Sequence, residues 1–98
     1  MFILTNVSVQ NDLAKVFDTT DMTEDIVSLT TLASNIRSRK LKVYGIASLK
    51  RPPRPTDVVV ASLGIIICME DAKKALAGFY IEKGYPKGQA YQLVGLNA

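Results

Sequence analysis

The chain contains no histidine and only one cysteine in 98 residues. Histidine is the side chain that titrates nearest neutral pH, the commonest general base and the commonest transition-metal ligand. Its absence argues against most acid–base enzymology. No catalytic residue, no cofactor and no metal site is expected. A lone cysteine excludes an intramolecular disulfide and fits a reducing, intracellular compartment. Long apolar runs are also missing. The most apolar stretch, Val58 to Met69, covers twelve residues, against roughly 20 for a membrane helix. The opening MFILTNVSVQ has no basic n-region and turns polar by Thr5, unlike a secretory leader. The expected location is cytoplasmic, with no membrane partner.

Apolar residues make up 48% and charged residues 21%, close to a globular average. Residues 1–98 read as a single α+β domain. A chain this short buries only about 60–65% of its unfolded surface, so a partner subunit would help it. The net charge of +3 is modest, but it is unevenly placed. Residues 1–36 carry Asp12, Asp18, Asp21, Glu24 and Asp25 against Lys15 alone. Residues 37–55 carry Arg37, Arg39, Lys40, Lys42, Lys50, Arg51 and Arg54 with no acid, a block of +7. The remainder balances.

Phe2 to Val9 is rich in β-formers and reads as a strand, closed by Asn11-Asp12. Asp12 to Phe17 reads as about one helical turn. Over residues 21–39, Asp21 with Glu24 has capping-box spacing, and Met22, Ile26, Leu29, Ala33 and Ile36 form a helical stripe. The β-preferring Val27, Thr30 and Thr31 offer a partly stranded alternative. Leu41 to Leu49 reads as a second strand. Residues 50–56 form a stiff basic loop, because three prolines in four positions suit neither a helix nor a central strand. Val58 to Cys68 is apolar on both faces, the mark of a covered central strand. Glu70 to Lys83 reads as a helix with Gly84 after its end. A Tyr85–Gly88 turn and a last strand, Gln89 to Leu96, follow.

The resulting β-α-β-β-α-β order favours a ferredoxin-like sandwich. That fold is a four-stranded antiparallel sheet, order 4-1-3-2, with two helices on one face. The RNA-recognition motif shares this order. Phe2-Ile3-Leu4-Thr5-Asn6-Val7 loosely resembles its first-strand signature, with Ile3 where an aromatic usually stands. For the third-strand signature, residues 42–49 retain a basic residue, Tyr44 and Gly45 in the wrong strand. Residues 61–68 have the right context and no stacking aromatic. No membership follows, and a base-stacking platform would be incomplete.

The basic segment is the leading functional candidate. Arg37, Arg39, Lys40, Lys42, Lys50, Arg51 and Arg54, with Tyr44, supply the cations and the aromatic that a phosphate backbone and an unstacked base require. Lysines that guard a sheet edge, or a proline-rich segment docking into an aromatic groove, would use the same residues differently. The double-sided apolar strand suggests a homodimer through Val58, Val60 and Ile66, packed sheet to sheet. Asp18, Asp21, Glu24 and Asp25 read as helix-start acids and lack the register of a calcium loop. Cys68 reads as inert core. Tyr80, Tyr85 and Tyr91 read as packing, with a small-molecule pocket as the alternative. The expected function is a small, dimeric, non-enzymatic protein that binds RNA or DNA. A purely oligomerising or protein-interaction domain is one alternative. A histidine-free dimeric α+β barrel, acting as an enzyme or small-ligand binder, is the other.

Overall fold

A computed structural model describes residues 1–96. Strand β1 (Phe2–Ser8) turns at residues 9–12 into β2 (Leu13–Asp18), and a second short turn leads to β3 (Thr23–Ser28). Helix α1 (Leu29–Arg37) follows, then β4 (Val43–Tyr44), β5 (Ile46–Ser48), β6 (Val58–Val60) and β7 (Ile65–Ile67). Helices α2 (Met69–Glu82) and α3 (Lys87–Leu93) complete the described chain. The strands form a four-stranded sheet of order β3-β2-β1-β4 and a three-stranded sheet of order β5-β7-β6. The mixed α+β class is as expected. The order differs from the 4-1-3-2 of a ferredoxin-like sandwich, and β4 runs parallel to β1.

Several elements depart from the sequence reading, each for a local reason. Asp12–Phe17 is not helical. Asp12 sits at φ +54° and closes a turn by donating its N–H to the Val9 carbonyl. The alternating Ala14 and Val16 then enter the core from β2. The expected helix over 21–39 splits at Ser28. The β-branched Ile26-Val27 pair extends β3, and α1 starts only where two side chains can cap it. Ser28 Oγ accepts from Thr31 N–H, and Asp12 Oδ1 accepts from Thr30 N–H at 3.0 Å. Asp12 also receives the hydroxyls of Ser28 and Thr30, both at 2.8 Å. The cap is therefore supplied by a turn sixteen residues upstream. Hydrogen bonds from Ser28, the largest cause, and Thr30 hold the Asp12 carboxyl below its ordinary range.

Val58–Cys68 is a hairpin, not one strand. A short 3-10 turn over Ala61–Leu63 ends at Gly64 (φ +68°), which reverses the chain and sets Val60 opposite Ile65. Strand β7 is central in its sheet, and Ile65, Ile66 and Ile67 are all buried. Gln89–Leu96 was expected as a strand, yet residues 87–93 are helical. Ala90 and Val94 are four apart, a spacing a helix also satisfies. No residue of Lys87–Leu93 is β-branched.

The four-stranded sheet is covered on both sides. Leu4 and Val16 are paired on one face, and they join Leu29, Leu32 and Ala33 of α1 in a single buried cluster. Ile3 and Phe17 are paired on the other face. There the Phe17 ring meets Phe79 of α2 edge-on at 5.9 Å.

The expected strand 41–49 breaks at Gly45, which has φ +101°. A Cβ there would stand 2.6 Å from the Ala72 Cβ and 3.2 Å from the Leu4 Cβ. Helix α2 and the sheet therefore approach across the bare Gly45 backbone. Gly45→Ala is expected to cost about 3 kcal/mol or more, through left-handed strain and overpacking together. Gly78, whose added Cβ would meet open space, should gain about 0.5–1 kcal/mol as Gly78→Ala in its helix interior. Urea midpoints of the two variants should move in opposite directions, and a Gly45→Ala variant as stable as wild type would contradict the close approach.

Candidate functional site

The basic segment divides into two groups with different surroundings. The first surrounds the C-terminus of α1. Arg39 N–H donates to the Ile36 carbonyl at 3.1 Å and Lys40 N–H to the Asn35 carbonyl at 3.0 Å. These are the paired bonds of a Schellman ending, in which glycine is the usual left-handed residue. Here that residue is Arg39, at φ +60°. Arg37, Arg39 and Lys40 are exposed there, where the helix dipole favours cations. Lys42 follows, with its Nζ 5.5 Å from the centre of the exposed Tyr44 ring.

Arg39, Lys40 and Lys42 rim a groove of about 360 Å³ whose floor is Ile36, Leu41, Val43 and Ile46. Among the described residues, no carboxylate pairs with Arg37, Arg39, Lys40, Lys42 or Lys50. Lys50 stands apart from the groove, on the loop after β5.

The second group is held by the chain's own acids. Arg51 Nη2 donates to Asp57 Oδ2 at 2.6 Å and to the Cys68 Sγ at 2.7 Å. The same Asp57 oxygen accepts the Arg54 N–H at 2.8 Å. The Arg54 guanidinium forks onto Asp71, at 3.1 and 3.4 Å to its two carboxylate oxygens. The Asp57 side chain is only 4% exposed. The Arg54 N–H and then Arg51 hold its carboxyl below the ordinary range. Hydrogen bonding to Asp57 is the main cause that raises Arg51. Burial pushes the Cys68 thiol up, although Arg51 opposes this. The thiol is thus a protonated acceptor inside the loop's anchor, consistent with an inert core cysteine. Asp57 and Asp71 were not read as partners of this loop from the sequence, and Cys68 was read only as core. The readable signal was an Asp closing the Arg-Pro-Pro-Arg-Pro run and another in the first turn of α2.

The remaining candidates fall as follows. Of the three expected interface residues, Ile66 is wholly buried and Val60 nearly so, both covered by their own chain. Only Val58 is exposed, at 45%, beside Val59 at 47% on the edge strand β6. Asp18, Asp21, Glu24 and Asp25 belong to the β2–β3 hairpin, not to a helix start. Tyr80 packs edge-on against Tyr85 at 5.4 Å, and Lys87 lies over Tyr91. No helix of the described residues is long and apolar enough to cross a membrane. No protein-family model matches this chain, and no curated protein or solved structure matches it either.

Two measurements test this account. Asp57 has a lowered folded pKa. Its contribution is therefore fully present above the unfolded carboxylate value and is lost as pH falls below about 4, through the folded value. Asp57→Asn should melt at a lower temperature than wild type at pH 7, and should lose less on acidification from pH 5 to pH 3. Equal acid sensitivity in both would show that the pair does not hold the loop. Arg39→Gly should relieve left-handed strain and raise stability by about 1 kcal/mol in urea unfolding. A destabilised Arg39→Gly would mean that the arginine side chain makes a compensating contact.

Proposed function

We propose that this chain is a small, non-enzymatic protein that binds nucleic acid through the phosphate backbone, using Arg37, Arg39, Lys40 and Lys42, with Lys50 as an outlying contact. The observation that carries the reading is the first basic group, in which cations without carboxylate partners rim a groove next to an exposed tyrosine. A phosphate backbone is bound by such cations with release of counterions. Tyr44 offers one stacking surface for an unpaired base. Arg51 and Arg54 have a different part in this reading. Their guanidinium groups are engaged by Asp57 and Asp71, so they shape the proline-rich loop and add little to phosphate binding. A cytoplasmic, reducing setting belongs to the same proposal, supported by a single cysteine that has no disulfide partner.

The test is a salt-titrated gel shift on single-stranded and duplex oligonucleotides. The triple variant Arg39→Ala, Lys40→Ala, Lys42→Ala should weaken binding and flatten the log K against log salt slope by about 2–3, one phosphate contact being lost per cation. Arg54→Ala should leave that slope unchanged. Binding that survives the triple variant, or that depends on Arg54 instead, would overturn the reading.

A further inference from the structure

The strand register brings two oppositely charged features to one end of the four-stranded sheet. Phe2 pairs with Asp18 of β2 on one side and with Val43 of β4 on the other. The β2–β3 loop, which leaves from Asp18, and Lys42, which precedes Val43, therefore flank the start of β1 from opposite sides. The loop side carries Asp21 and Met22 at its tip, with Glu24 and Asp25 on β3. Met22 is 57% exposed and held at φ +56°, an apolar side chain where a turn usually has glycine or a short polar residue. The β4 side carries the apolar groove rimmed by Arg39, Lys40 and Lys42.

These halves do not neutralise each other within one chain. The outer strands β3 and β4 are three strand spacings apart, about 14 Å. Among the described residues no ion pair joins Asp21 or Asp25 to any cation, and Glu24 is engaged by Lys15 and Thr5. A second copy related by a two-fold axis near the start of β1 would set each loop against the other copy's groove. One patch then contains both complementary halves, so the contact is made twice and the assembly closes as a dimer.

We infer that the chain self-associates in this way, with Met22 entering the partner's groove and Asp21 facing its three cations. This interface replaces the one expected through Val58, Val60 and Ile66. It does not rest on nucleic-acid binding, but it uses the same cations. An oligonucleotide and a second copy would therefore compete for the groove.

The experiment is sedimentation equilibrium of the full chain, freed of nucleic acid. A dimer is expected at low salt, shifting toward monomer as salt rises. Asp21→Lys and the double variant Lys40→Glu, Lys42→Glu, which turns the groove rim net negative, should each weaken dimerisation by about tenfold or more, since each places like charges together twice. An equimolar mixture of the two variants should recover a 1:1 heterodimer, because both of its contacts again join opposite charges. That recovery also shows that both variants are folded. A wild type that stays monomeric at low salt, or a mixture that associates no better than its components, would overturn the inference.

Discussion

Much of this structure depends on the absence of one side chain. Gly45 lies between β4, which closes the four-stranded sheet, and β5, which opens the three-stranded one. Its carbonyl accepts the Cys68 N–H at 2.7 Å, where β7 passes into α2. One residue thus joins both sheets to the long helix, and the helix reaches the sheet only because no Cβ intervenes. Helix α2 approaches Leu4 through Ala72 at this point and meets Phe17 through Phe79 further along, while Leu29, Leu32 and Ala33 of α1 join Ile3, Leu4 and Val16 in the same buried cluster.

A second constraint works at longer range in the sequence. Asp12 is a turn residue with left-handed backbone, and its carboxylate caps a helix beginning at Leu29. The chain order β1, β2, β3, α1 brings the turn and the helix start together, so one side chain stabilises both. This explains why the reading of residues 21–39 was half correct. The stripe Leu29, Ala33, Ile36 was legible, as was the β preference of Val27, whereas Met22 and Ile26, read into the same stripe, lie in the hairpin. The boundary depends on a hydrogen bond that Asp12 accepts from Thr30, which a local pattern cannot contain. The same limit applies to Gly45 and Gly64, whose breaks in the expected strands follow from tertiary approach and chain reversal. The apolar character of Ile65–Ile67 did predict a central strand, and the helix after Cys68 was legible almost to its ends.

The charge block was the clearest functional signal in the sequence, and the structure sorts it. Composition counts seven cations over residues 37–55. Asp57 and Asp71 lie outside that window and engage two of them. A window of like charge therefore overstates the free charge on the surface, because acids from distant positions fold back onto it. Prolines alone would stiffen this loop. The Arg51–Asp57 and Arg54–Asp71 pairs also decide which way its guanidinium groups point. The groove beside α1 was not legible, since its floor combines the last turn of a helix with two strand segments.

The meander of β1, β2 and β3 also bears on how the chain reaches its fold. Its pairings join neighbours through short turns, and the Asp12 cap adds α1 to the same local unit. Closing such loops costs little chain entropy, whereas the parallel β1–β4 pairing and the β5–β7 pairing span longer stretches. Local contacts are thus concentrated in the first 37 residues. The Phe17 ring, by contrast, meets a helix drawn from the last third of the chain. During synthesis on a ribosome that ring would emerge well before α2, and it would stay wet until the helix arrived.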